Sequence, residues 1–167
     1  MILASVAVAA LLGCRGAPTA PIAVALELDR DTYVAGTLDA QGRYGFTVIV
    51  HYVNRTDGPI YFARCAVDSL TPSHSVPTAG GVSRSGYDAA SACSAFPALE
   101  LRPGDARTDS LLLQGPNAYD GLTGQPLGVL EGDFRLEYQT RRCAADTPAC
   151  WSAGPRVASA VFHVRLP

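Results

Sequence analysis

The chain has 167 residues, of which 48% are hydrophobic and 17% are charged, and its formal net charge is −2. This length fits one ordinary domain with a short extension, and the apolar content is sufficient for a packed core. The near-neutral charge and the lack of a basic cluster exclude a nucleic-acid interface that depends on electrostatic attraction. We therefore expect one globular domain that does not bind nucleic acid.

The first apolar run predicts an export signal. Residues 2–12 are apolar except for Ser5, and as a helix they would span about 16 Å of a hydrocarbon core that is about 30 Å thick. This is too short for a membrane span and typical of the apolar region of a signal peptide. The alternative interpretation is an N-terminal strand with a buried cysteine.

The end of this run, Leu11-Leu12-Gly13-Cys14, resembles the bacterial lipobox. The resemblance implies a signal peptide over residues 1–13 and lipid attachment to the thiol of Cys14, which would bind the protein to a membrane. Arg15, where an Asp would favour retention in the inner membrane, indicates the outer membrane. Residues 14–22 are rich in small residues and proline and predict a flexible tether. We expect a cell-envelope protein that faces the periplasm or the outside.

The rest of the chain, residues 23–167, predicts an all-β domain. Apolar and polar residues alternate with period two, the pattern of half-buried strands, at 23–28, 45–54, 132–141 and 159–166. Further strands are expected at 59–67, 96–101 and 106–113, and clusters of Gly, Pro, Asn and Asp separate them. No segment shows a helical period. About seven strands joined by turns favour an antiparallel two-sheet sandwich.

The four remaining cysteines agree with export. Cys65, Cys93, Cys143 and Cys150 form an even set, which in an exported protein predicts disulfides. The short segment "CAADTPAC" favours a local Cys143–Cys150 bridge, which leaves Cys65 with Cys93. A zinc site with four cysteine ligands is the alternative, but it lacks the usual CxxC spacing.

The layout of strands and turns resembles a known family. The segments "LELDRDTYVAG", "FTVIVHYVNRTDGPIYF", "LELRPGDARTDSLLL" and "LEGDFRLEYQT" are similar to the bacterial immunoglobulin-like sandwich of secreted lipoproteins. The intracellular proteinase inhibitor (BsuPI) domain shares this layout. The resemblance implies an immunoglobulin-like β-sandwich of about seven strands, and its motifs are turn chemistry rather than a functional signature.

The side chains give no pattern of a catalytic, metal or cofactor site. His51 and His163 fall on predicted strands, where a surface position is expected, and His74 falls in a loop. None has further ligands at metal-binding spacing. Ser83 in "GGVSRSG" departs from the nucleophile elbow, because Ser85 stands where a glycine is needed. Asp120 and the "DRD" at 29–31 are expected to be turn residues.

Two long predicted loops are the best candidates for recognition, because loops on a rigid sandwich usually carry it. They cover about 67–95 and 114–132, and Arg84, Tyr87 and Tyr119 are the residue types that act as binding anchors. We expect a non-catalytic, lipid-anchored protein that binds another envelope component, a protein or a glycan. The alternatives are a proteinase inhibitor and a hydrolase built from loop Ser, His and Asp residues.

Overall fold

The computed structural model describes residues 24–81, 83–87 and 95–167. The predicted signal peptide, Cys14 and the tether lie outside these residues. The predicted all-β sandwich is confirmed: the described chain forms twelve strands and one helical turn. The strands are β1 Val24–Leu28, β2 Thr32–Val34, β3 Gly36–Thr37, β4 Tyr44–Asn54, β5 Ile60–Arg64, β6 His74–Ser75, β7 Ala95–Leu101, β8 Ala106–Gly115, β9 Gly132–Phe134, β10 Glu137–Arg141, β11 Ala153–Ala158 and β12 Phe162–Arg165, with α1 at Pro148–Trp151.

One layer of the sandwich is built on β4. This strand pairs antiparallel with β8 from Tyr44 to Val53, and β1 and β3 share its other edge. Alternate residues of β4 face inward, as the period-two pattern predicts, and all are buried: Phe46, Val48, Val50 and Tyr52. The residues between them face solvent, because successive side chains of a strand point to opposite faces.

The other layer is organised by one long hairpin. Its first arm contains β9 and β10, and its second arm contains β11 and β12. Both arms bend at the same level, where the Ser159 N–H donates to the Leu136 carbonyl oxygen (2.9 Å) and the Leu136 N–H donates to Ser159 Oγ (3.0 Å). Beyond the bend β10 joins β11, β5 and β6, whereas β9 and β12 form a separate sheet with β2. The strand predicted at 132–141 is therefore split into β9 and β10, and β12, within the strand predicted at 159–166, lies in a different sheet from β11.

β2 and β12 form a parallel pair, unlike the other strand pairs among the described residues. Aromatic side chains from the two layers pack against each other. The ring centroids of Tyr52 and Phe62 are 5.7 Å apart, and those of Phe46 and Phe162 are 6.2 Å apart. The Tyr52 hydroxyl donates to that of Tyr138 (2.7 Å) inside this core.

The predicted Cys143–Cys150 disulfide is confirmed and closes the loop between β10 and β11, with Cα atoms 5.0 Å apart. Trp151 lies outside the core with 53% of its surface exposed, and its Nε1 donates to Asp146 Oδ1 (2.7 Å). Cys65 is also disulfide-bonded. Its predicted partner, Cys93, lies outside the described residues.

Candidate functional site

The first half of the segment predicted as a long loop at 67–95 belongs to the sandwich. β6 pairs with β10, and beyond it the Arg135 N–H donates to the Pro77 carbonyl oxygen (3.1 Å). The Ala79 N–H donates to the carbonyl oxygen of Asp133 (2.8 Å). Residues 74–79 thus extend the second layer beside β10 and β9. Two strand residues are too few to show a period in the sequence, which explains why this segment was predicted as a loop.

Residues 84–86 of this segment pack on the other predicted loop. The Val129 N–H donates to the Arg84 carbonyl oxygen (2.9 Å), and the Gly86 N–H donates to the carbonyl oxygen of Val129 (2.9 Å). The Asn117 N–H donates to the Gly86 carbonyl oxygen (3.0 Å). The two loops that the sequence presents as separate recognition elements are therefore one hydrogen-bonded unit.

A cleft of about 410 Å³ lies between this unit, residues 73–77 and the β10–β11 pair. Polar and apolar surface contribute about equally to its lining, and several hydroxyl groups are among the polar part. The lining residues are Ser73, His74, Ser75, Val76, Pro77, Ser83, Arg84, Ser85, Tyr87, Glu137, Tyr138, Gln139 and Arg156. Hydroxyl, amide and charged groups around a concave surface can bind a polar ligand and fix its orientation.

Two charged residues of the cleft pair with each other, and a third has no partner among the described residues. Arg156 Nη1 lies 2.9 Å from Glu137 Oε2, so these two charges neutralise each other. The exposed Arg84 side chain makes no hydrogen bond or ion pair to any described residue. His74 Nδ1 lies 3.3 Å from the Pro72 carbonyl oxygen, and its ring lies 6.0 Å from that of Tyr138. The guanidinium of Arg84 is thus the uncompensated charge of the cleft.

The structure separates the three predicted binding residues. Arg84 lies at the cleft. Tyr87, expected as an exposed anchor, is 2% exposed and packs edge-on against Phe46, with ring centroids 5.1 Å apart. Its hydroxyl donates to the carbonyl oxygen of Leu130 (2.7 Å), and burial raises its pKa. Tyr87 is therefore a core residue that holds the loop unit. Burial of its ring and the hydrogen bond of its hydroxyl both stabilise the buried position.

Tyr119 lies away from the cleft and is 43% exposed. Its hydroxyl donates to the Gln41 carbonyl oxygen (3.3 Å). In the same loop the Asp120 carboxylate accepts hydrogen bonds from the Thr123 N–H (2.8 Å) and the Leu122 N–H (2.9 Å), and the bonds with Thr123 and Leu122 lower its pKa. Asp120 is thus a turn residue, as expected.

The other polar candidates have structural contacts. His51 lies on the outer face of β4 with Nδ1 2.8 Å from Thr108 Oγ1, and His163 Nδ1 lies 2.9 Å from Asp133 Oδ1. Asn54, whose "NRT" matches a glycosylation sequon, is fully buried. Its Nδ2 donates to the Leu101 carbonyl oxygen (2.9 Å). In the described ranges no group of three or more His, Cys, Asp or Glu side chains could hold a metal ion.

Comparison with protein-family models, with curated proteins and with solved structures finds no match for this chain. Within the part of the chain that the structure describes, no helix has the length and hydropathy needed to cross a membrane.

Proposed function

We propose that this protein is a lipid-anchored, non-catalytic envelope protein whose cleft binds a carboxylate-bearing group of another envelope component. The observation that carries the proposal is the Arg84 guanidinium, which lies at a cleft of about 410 Å³ without a partner among the described residues. A guanidinium binds a carboxylate through two parallel hydrogen bonds, which provide orientation as well as attraction.

The rest of the lining suits the same ligand. Because Glu137 is paired with Arg156, its charge does not oppose an incoming anion at Arg84. The hydroxyl groups of Ser83 and Ser85 flank Arg84 in the chain and line the cleft with it. Hydroxyl groups both donate and accept hydrogen bonds, so they can satisfy the polar atoms next to the carboxylate.

The disulfides support placement outside the cytosol. The Cys143–Cys150 bridge and the bonded state of Cys65 fit a protein that matures in an oxidising compartment. The apolar run before Cys14 and its lipobox resemblance supply the membrane attachment in this proposal. Residues of the strands β6, β10 and β11 form part of the lining, and a site built on strands needs less ordering when a ligand binds.

A site-specific photocrosslink in the native envelope tests the cleft. A photoreactive amino acid replaces Ser85, which lines the cleft. The matched control carries it at Leu122, which is 97% exposed on the other loop. We expect an adduct from position 85 that is missing from position 122, visible as a band of higher mass after irradiation of intact cells.

Charge reversal then tests the ligand chemistry. Arg84→Glu should remove the adduct from position 85, because it replaces the attraction for a carboxylate with repulsion. Arg102→Glu is the control, since Arg102 is an exposed arginine that does not line the cleft. Equal adducts from positions 85 and 122, or an adduct that survives Arg84→Glu, would contradict the proposal.

A further inference from the structure

We infer that the edge of β8 opposite β4, which pairs with no described strand, is an interface with a second copy of this chain, in which two β8 strands pair antiparallel about a two-fold axis at Ser110. The inference concerns the layer opposite the hairpin and is independent of the ligand proposed for the cleft. It follows from the direction of the backbone groups, the state of the other sheet edges and the charges along β8.

The hydrogen-bond pattern shows which groups of β8 are directed outward. The Asn54 N–H donates to the Asp105 carbonyl oxygen (3.1 Å), in register with the β4–β8 pairing. Odd-numbered residues of β8 therefore bond to β4, and the N–H and C=O groups of Thr108, Ser110 and Leu112 point to the free edge. No described residue forms a backbone hydrogen bond with these groups.

The other edges of the described sheets are covered or interrupted. β7 contains Pro97, and the next residue, Ala98, donates its N–H to the carbonyl oxygen of Ala144 (3.2 Å). β11 contains Pro155, and the edge of β9 is bonded by residues 77–79. The edge strands β1, β2 and β3 have only 5, 3 and 2 residues. Such features prevent unwanted pairing between sheet edges.

β8 has none of these protections among the described residues. It is ten residues long, contains no proline, and pairs with β4 without a register shift. A long, regular, unprotected edge is a template for a further strand. We interpret this regularity as evidence that another strand pairs with this edge.

The side chains of β8 favour a second copy as the added strand. Its outward-facing residues Thr108, Ser110 and Leu112 are exposed and uncharged, so a two-fold pairing brings no like charges together. The two charged residues of the strand are Arg107 and Asp109, and Arg107 Nη2 lies 2.7 Å from Asp109 Oδ1. Asp109 is buried, so this pair is directed away from the outer face.

An axis at Ser110, the middle one of the three outward-directed residues, gives the register in which all three take part in the new pairing. In an antiparallel pair the outward-directed residues must lie opposite each other, and an axis at Ser110 places Thr108 opposite Leu112 of the other copy. It also places the two Ser110 residues opposite each other, with Cα atoms about 5.5 Å apart as in any hydrogen-bonded pair. This separation falls within the range that a disulfide bridges.

Cysteine crosslinking of the full-length protein in its native membranes tests this register. Ser110→Cys should give a disulfide-linked dimer on mild oxidation, seen on a non-reducing gel and lost on reduction. Thr47→Cys is the matched control, because Thr47 is exposed on the same sheet face but lies on the interior strand β4. Equal crosslinking of the two variants, or a Ser110→Cys adduct with a different protein, would overturn the inference.

A charge variant tests the association itself. Ser110→Lys places two ammonium groups at the axis and should weaken the dimer at least about tenfold, measured by sedimentation of the detergent-solubilised full-length protein. Thr47→Lys should sediment as the wild type does. A wild type that is monomeric at every concentration, or a Ser110→Lys variant that dimerises like the wild type, would also overturn the inference.

Discussion

Asp29 connects the end of β1 to its neighbours through one carboxylate. Its Oδ1 accepts hydrogen bonds from the Ile49 N–H (2.9 Å) and from the Tyr33 hydroxyl (2.8 Å), and its Oδ2 accepts one from Arg30 (2.9 Å). Burial raises the pKa of Asp29, but the hydrogen bonds from Ile49, Tyr33 and Arg30 together outweigh it and hold this pKa below its ordinary value. The ionised form is therefore the one that the fold stabilises.

This lowered pKa predicts an acid-sensitive contribution to stability. Because the pKa of Asp29 is lower in the folded state, its contribution is complete above the unfolded-state pKa of about 3.9 and is lost as the pH falls through the folded-state value. Asp29→Asn should lower the free energy of unfolding at pH 7, and the difference from wild type should shrink toward pH 3. Urea unfolding across this range measures it. Asp57→Asn, at an exposed turn, is the control; a difference that is constant with pH would contradict the assignment.

Single residues are also where the sequence was least informative. Tyrosine is a residue type that often acts as a binding anchor. The ring of Tyr87, however, lies in the core against Phe46 and Phe134. Its neighbours in space come from distant parts of the chain, so no local pattern marks it as buried. Arg84, three residues earlier, shows the opposite result, because it does lie at the cleft. Residue type indicated a possible role, and tertiary packing decided which residue was accessible.

At the scale of elements, the loop unit depends on a close approach of two backbones. Gly128 has a φ of +119°, and a Cβ at this position would lie 2.6 Å from the Arg84 carbonyl oxygen. Gly128→Ala should lower the free energy of unfolding by about 1–3 kcal/mol, because a side chain here is strained and would separate the loops. Gly80→Ala is the control, since nothing lies within 4 Å of a Cβ there. Chemical denaturation of both variants gives the comparison, and equal stabilities would contradict it.

The elements that the sequence predicted are those long enough to show a period. β4 has 11 residues, and its alternation predicted both the strand and its buried face; β8 has 10 residues and was predicted as a strand. β2, β3 and β6 have 3, 2 and 2 residues, which cannot establish a period. The short β6 forms one wall of the cleft, so the cleft itself could not be predicted from alternation.

For the whole molecule, membrane attachment through Cys14 remains a prediction. Lipidation with two or three acyl chains would hold the protein on the membrane, since each buried methylene contributes about 0.8 kcal/mol and one chain alone binds reversibly. Cys14→Ser should therefore move the protein from the membrane fraction to the soluble fraction or leave it unprocessed. Fractionation followed by mass spectrometry of the N-terminus measures both. Wild-type protein that is soluble with residues 1–13 intact would contradict lipidation.

The two-layer architecture was predictable, but the path of the chain between its sheets was not. Alternation in "GDFRLEYQTR" indicates one strand, and the side chains of Phe134, Leu136 and Tyr138 are buried as expected. The division between two sheets arises at the hydrogen bonds between Leu136 and Ser159, 23 residues apart. A contact of this kind has no local signature, because its two partners are far apart in the sequence.

The parallel pairing of β2 with β12 also sets an order of events during biosynthesis. Thr32 of β2 is opposite His163 of β12. β2 is the first strand of this sheet to be synthesised, and it can pair only after β12, the last of the described strands, has been synthesised. Until β12 emerges, Tyr33 lacks the Phe162 ring that packs edge-on against it at 5.5 Å. A nascent chain therefore cannot complete its sandwich while it is still being made, and closing so distant a contact is slow. The sheet of β2, β9 and β12 can therefore be completed only after synthesis has passed residue 165.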